Sequence, residues 1–159
     1  GFPDYVDLPH TPRYPFGFGL SYTQFSYSDL EISKPEVAAG DTVEIGCTVK
    51  NTGEREGDEV VQLYLKDLYA SMVRPIKELA GFRRVHLEAG QSCRVSFTVN
   101  TSQLAFLDEE MKWKIEHGQI QVEVGASSED IRLTDSFQVK GDQWIDGRKR
   151  AFWAKATVR

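Results

Sequence analysis

The 159-residue chain is predicted to be all-β, an immunoglobulin-like antiparallel β-sandwich of about seven strands, with an irregular N-terminal linker and a C-terminal tail. Three observations lead there. Short apolar runs, several with clean period-2 alternation, recur between residues 24 and 140; turn residues punctuate them at the spacing of a sandwich; and no segment carries the 3.6-residue period of a long helix. Because 40% of the residues are hydrophobic, the chain can bury a sizeable core as one domain with extensions.

Residues 14–22, YPFGFGLSY, come before the pattern begins. Tyr14, Phe16, Phe18 and Tyr22 supply four rings in nine residues, while Pro15, Gly17 and Gly19 remove any regular packing period. Such a segment places its rings against a neighbouring surface as irregular backbone. The first strand is read at Gln24–Ser33, ending at Pro35 and a turn at Ala39-Gly40-Asp41. The second, Thr42–Lys50, alternates strictly through Val43, Ile45, Cys47 and Val49 and closes at Asn51-Thr52-Gly53. Asp58–Lys66, almost continuously apolar, suits a central strand covered on both faces. After a loop at Asp67–Pro75, Lys77–Leu87 reads as a strand broken at Gly81.

The turn Glu88-Ala89-Gly90-Gln91 leads into Ser92–Val99, where Cys93, Val95, Phe97 and Val99 are in phase. Thr101–Leu107 reads as one helical turn capped by Thr101 or Ser102. The acidic turn Asp108-Glu109-Glu110 precedes a strand at Met111–Glu116, and His117-Gly118 turns the chain into Gln119–Ala126, with Arg132–Val139 as the final strand. Two sheets packed face to face bury one side of each strand in such a series.

The formal charge of −5 argues against a nucleic-acid partner, since binders of polyanions carry a basic face. Residues 147–159 hold five basic side chains and no acid, but Phe152 and Trp153 interrupt them, as befits a docking arm. No stretch has the ~20 apolar residues of a membrane span. Cys47 and Cys93 have no metal-ligand spacing; they read as free, buried thiols, with a bridge between neighbouring strands as the alternative.

Chemistry is sparse. His10, His86 and His117 are far apart, with no activated nucleophile beside them, and His86 alternates with Val85 and Leu87 and so faces solvent. The carboxylates Asp108, Glu109, Glu110, Glu129 and Asp130 sit in turns, where acids are favoured for solvation, rather than at the cross-cleft separation glycoside hydrolysis requires. No phosphate loop, metal site or cofactor is implied. Trp113, in a strand, is read as core; Trp144 and Trp153 are read as packing anchors, with exposed sugar-stacking platforms as the alternative.

The ordered blocks YPFGFGLSYTQFSYSDL, VKNTGEREGDEVVQLYLKD, VRPIKELAGFRRVHLEAGQSCRVSFTV and LAFLDEEMKWKIEHGQIQVEVGASSEDIRL resemble the C-terminal portion of family 3 glycoside hydrolases, the β-glucosidases and β-xylosidases. The resemblance runs from about Tyr14 to Phe137. It implies that residues 24–140 form a fibronectin type III-like domain and that residues 1–23 are the end of a preceding α/β sandwich domain and its aromatic linker; residues 141–159, beyond the resemblance, read from their own composition as a C-terminal tail. It implies too that the aspartate nucleophile lies in a (β/α)8 barrel, which takes about 250 residues, and the acid/base on the α/β domain. No position here matches either motif, so no catalytic residue is assigned.

The expected function is thus a non-catalytic accessory domain. Its partners would be the catalytic domains of a parent glycosidase and, through the parent, an oligo- or polysaccharide β-glycoside. Tyr14, Phe16, Phe18 and Tyr22 are the expected interdomain packing residues. Tyr69, Met72 and Arg74, in the loop before Pro75, are the expected candidates for a substrate rim. An independent carbohydrate-binding module is the alternative.

Overall fold

The computed structural model describes residues 21–68 and 77–159. Tyr14, Phe16 and Phe18 of the aromatic run, and Tyr69, Met72 and Arg74 of the loop, lie outside the described residues. The strands are β1 (Phe25–Ile32), β2 (Glu36–Ala38), β3 (Thr42–Asn51), β4 (Gly57–Asp67), β5 (Glu78–Leu87), β6 (Ser92–Asn100), β7 (Phe106–Leu107), β8 (Trp113–Ile115), β9 (Gly118–Gly125), β10 (Ile131–Lys140), β11 (Gln143–Ile145) and β12 (Lys155–Val158). Short 3₁₀ turns occupy Thr101–Leu104 and Gly147–Lys149.

One sheet runs β1-β3-β6-β12, the facing sheet β2-β10-β9-β4-β5, and a small third sheet β11-β8-β7. Every pairing is antiparallel except β2 with β10. The alternation read from the sequence sets the core: Val43, Ile45, Cys47 and Val49 of β3 and Val95, Phe97 and Val99 of β6 face Val61, Leu63 and Leu65 of β4 and Ile120, Val122 and Val124 of β9. Each large side chain so buried contributes about 1.5–3 kcal/mol relative to exposure. β4 is covered on its other face as well. There Gln62 donates to the Ala126 carbonyl at 2.7 Å, and the Tyr64 hydroxyl donates to Gln62 Oε1.

Three local features depart from the sequence reading. The strand expected to break at Gly81 is continuous and carries a β-bulge: Leu63 pairs with Gly81 and Tyr64 with Leu79, so Ala80 has no opposite number. The bulge turns the Ala80 carbonyl out of the ladder, and it accepts instead from Ala154 N at 2.8 Å and Gln103 Nε2 at 3.1 Å. The approach at Gly81 is close: a Cβ would lie 3.1 Å from Ala154 Cβ and 3.2 Å from Phe97 Cδ1, so a larger residue would press both neighbours back by a few tenths of an ångström. The turn after β6 is capped by Asn100 rather than Thr101 or Ser102, its side chain accepting from Ser102 N at 2.8 Å. The strand expected at Met111–Glu116 shortens to Trp113–Ile115, since Met111 has φ of 60° and Lys112 N is held by the Asp108 carboxylate.

Beyond residue 140 the chain folds back as a strap. β11 pairs with β8; Arg150 then lies over the Trp113 ring at 4.7 Å, and Ala151 N donates to Ser102 Oγ at 3.0 Å. Ala154 docks on the bulge, and β12 adds a fourth strand to the first sheet, paired along β6 from Thr98 to Val95. The strap is held by two short strand pairings together with single polar bonds and stacked rings, and pieces of three and four residues are too short to leave a periodic signature in sequence.

Candidate functional site

At the start of β1, Asn51 is fully buried and all of its polar capacity is used. Its Nδ2 donates to the carbonyls of Arg55 at 2.7 Å and Leu87 at 3.0 Å, while Oδ1 accepts from Thr23 Oγ1 at 2.8 Å and Gly53 N at 3.0 Å. A satisfied buried amide of this kind costs little to bury and specifies one arrangement. It ties Thr23, the residue after the aromatic run, to the turn between β3 and β4. The adjacent Tyr22 is 96% exposed, so its ring has no seat among the described residues.

The histidine on β5 faces solvent as its phase requires. His86 Nδ1 is 3.0 Å from Asp58 Oδ1, and the hydrogen bond with Asp58, then its charge and those of Glu56 and Glu88, raise the His86 pKa above the ordinary value. Glu56, His86 and Glu88 bring ligand-type atoms within 4.8 Å of one another at the surface. These are exposed groups with no wall about them, which is the setting of a solvated ion-pair network rather than of an acid/base catalyst.

Two exposed surfaces carry more information, and both stand on the strap. The first is apolar. Phe82 on β5 and Trp153 meet edge to face with centroids 5.9 Å apart, and Phe152, the residue before Trp153, is exposed as well, with the Arg150 guanidinium 5.6 Å from its ring centre. Trp153, expected as a packing anchor, is instead 57% exposed, because Ala154 rather than the indole fills the position against the bulge. Phe82 was not singled out from sequence, although a phenylalanine pointing away from the core between Gly81 and Arg83 is the visible sign.

The second surface is a groove of about 560 Å³ over the small third sheet. Phe106, Lys114 and Trp144 are register partners across β7, β8 and β11, so alternation puts them in one row on the groove face while Ile115 is buried on the other. Trp144 is also 57% exposed, yet it is fixed: its Nε1 donates to Asp108 Oδ2 at 2.9 Å. The Asp108 Oδ1 accepts from the backbone N–H groups of Lys112 at 2.9 Å and Glu110 at 3.0 Å. These hydrogen bonds, the Lys112 N–H first, hold the Asp108 carboxyl below the usual range. Lys114 Nζ stands 5.3 Å from the Trp144 ring centre and forms an ion pair with Asp142 at 2.7 Å. That ion pair, with the His117 N–H, lowers the Asp142 pKa strongly.

Residues 59–128 match the family model of the fibronectin type III-like domain. The chain carries a fibronectin type III-like domain. It is 44% identical over 131 residues to a β-xylosidase of Formosa agariphila, covering 82% of this chain and 18% of that protein. It is 42% identical over 140 residues to thermostable β-glucosidase B of Acetivibrio thermocellus, covering 87% of this chain and 18% of the relative. Among solved structures, the family 3 β-glucosidase of Bifidobacterium adolescentis superposes with a TM-score of 0.73 at 38% identity, over 79% of this chain and 18% of that one. The chain thus spans about a fifth of the length of the relatives it matches, as a C-terminal domain of a family 3 glycoside hydrolase does. The fibronectin type III-like domain explains the two facing sheets; the match covers β4 to β9 and leaves the strap, with Trp144 and Trp153, outside it.

Proposed function

We propose that this fibronectin type III-like domain is the non-catalytic C-terminal accessory domain of a family 3 β-glycosidase, and that it braces the catalytic domains of a parent that hydrolyses terminal non-reducing β-D-glucosyl or β-D-xylosyl residues. The observation that carries the proposal is identity above 40% to a β-xylosidase and a β-glucosidase over only 18% of their length. In this reading residues 1–23 are the end of a preceding α/β domain with its aromatic linker, residues 24–140 the sandwich, and residues 141–159 a segment folded onto it.

Bracing needs apolar surface to bury. Phe82, Phe152 and Trp153 offer it on the described residues, and Tyr22 with Tyr14, Phe16 and Phe18 would add to it. At about 1.5–3 kcal/mol for each large side chain removed from water, a few of these rings suffice to hold a domain in place. Left uncovered, the same rings favour association. A rim role for Tyr69, Met72 and Arg74 is the finer part of the proposal, resting on their position in a long loop.

The parent enzyme lacking residues 24–159 is expected to melt lower or to aggregate, and the isolated domain to show no turnover of aryl β-glucosides or β-xylosides. A truncated enzyme as stable and active as the whole would remove the bracing role. Replacing Tyr69, Met72 and Arg74 together by Ala is expected to alter activity on longer substrates in preference to short ones; unchanged kinetics on both would remove the rim role.

A further inference from the structure

The groove over the third sheet has the components of a ligand site, and they are independent of the bracing surface. Its floor is the row Phe106, Lys114 and Trp144, and its wall is the acidic turn containing Asp108, Glu109 and Glu110. We propose that this groove binds a neutral β-linked oligosaccharide, with one pyranose stacked on Trp144 and its hydroxyls hydrogen-bonded to the carboxylates of the turn.

The platform is rigid before any ligand arrives. A surface tryptophan ordinarily samples several rotamers, and freezing one on binding subtracts from affinity. Here the indole N–H is already fastened to Asp108, and Asp108 is fastened in turn by two backbone N–H groups. The ring nevertheless remains 57% exposed. Burial of the ring does not explain that fastening, and stacking of a ligand does.

The charges select the ligand class. Three carboxylates face two ammonium groups in the groove. Both ammonium groups are engaged: Lys112 with Glu110 at 2.6 Å and Lys114 with Asp142 at 2.7 Å. A phosphate or carboxylate ligand would meet a net negative field with no free cation among the described lining residues, and Lys114 already takes the cation's place near the ring. A neutral molecule with an apolar face and a rim of hydroxyl donors satisfies both the indole and the carboxylate acceptors. A pyranose has that shape, and 560 Å³ falls within the size range of small-molecule sites. The inference does not rest on the accessory-domain reading: an isolated domain that binds no sugar would leave bracing untouched, and a dispensable domain could still bind.

The test is calorimetric titration of the 159-residue chain with cellotetraose and, separately, xylotetraose, with ¹H–¹⁵N spectra of the three tryptophan indoles recorded alongside. At least one sugar is expected to bind at one site with a dissociation constant on the order of 1 mM or tighter, with the Trp144 indole signal shifting and that of Trp153 unmoved. Trp144→Ala should weaken binding about tenfold or more, Trp144→Phe should retain most of it, and Trp153→Ala should change nothing. No saturable binding of either sugar to about 10 mM overturns the proposal. So does binding that survives Trp144→Ala or shifts only Trp153; and because the indole spectra are read on the unaltered chain, the outcome does not depend on Trp144→Ala folding.

Discussion

Trp144 and Trp153 lie nine residues apart on the same strap and are equally exposed, 57% each. Their surroundings are opposite. Trp153 meets the Phe82 ring edge to face and follows Phe152 in sequence, and the charged group near that pair of exposed rings is the Arg150 guanidinium, 5.6 Å from the Phe152 ring centre. Trp144 has its N–H committed to a carboxylate, an ammonium beside its ring and an acidic wall opposite. Exposure by itself says nothing about which partner a ring is meant for. The apolar cluster calls for a surface that removes it from water, whereas the framed ring calls for a ligand with a face and hydroxyls.

The most severe way to break the comparison is to remove the support that both rings share. Gly147 lies against the Trp113 indole so closely that any Cβ would overlap the ring. Gly147→Ala is expected to displace Trp113 and Arg150 and loosen the strap at both tryptophans, costing about 1–3 kcal/mol in urea denaturation. A variant as stable as the parent chain would show that the strap is held from elsewhere.

Next in size is the apolar cluster. Phe82→Ser with Trp153→Ser should leave the isolated domain nearly as stable, reduce its self-association in sedimentation, and lower the melting temperature of the whole enzyme. If the enzyme melts unchanged while the isolated domain loses stability, the cluster is part of the fold and not a docking surface.

A pH series separates the two regions more gently. The Asp142 carboxyl is depressed by Lys114 and by the His117 N–H, so its contribution is fully present above the unfolded carboxylate value of ~3.9 and is lost as pH falls through the lowered folded value. Stability should therefore decline with acid below about pH 4, and Asp142→Asn should be less stable at neutral pH but flatter in acid. The Trp144 environment, read by near-ultraviolet circular dichroism, should follow that decline, with the Trp153 cluster lagging. The smallest expected effect is Asp108→Ala, which frees the Trp144 indole and should broaden its side-chain signal with little change in the fold; an unchanged signal would mean that the ring is held by its neighbours alone.

The long strands were legible because alternation and burial agree residue by residue: Val43, Ile45, Cys47 and Val49, or Ile120, Val122 and Val124, can occupy one face only. Burial accounts for the Cys47 thiol, whereas Cys93, expected to be buried too, is only half-buried near the start of β6. Both cysteines are free, and the Cys47 thiol is pushed up to about 11 by desolvation. The strap was not legible. Its attachments are two ladders of three and four residues, a bulge carbonyl, a serine hydroxyl and a guanidinium on an indole, all too short or too local to show a period. β2 escaped for a related reason: three residues between Pro35 and a turn are too short for a pattern, and their place is set by β10. The groove shared this fate, since Phe106, Lys114 and Trp144 become neighbours only when three short strands pair.

Asn51 acts as a fulcrum. By fastening Thr23 it ties the start of β1 to the end of β3. One buried amide thereby sets the angle at which β1 enters the edge of its sheet.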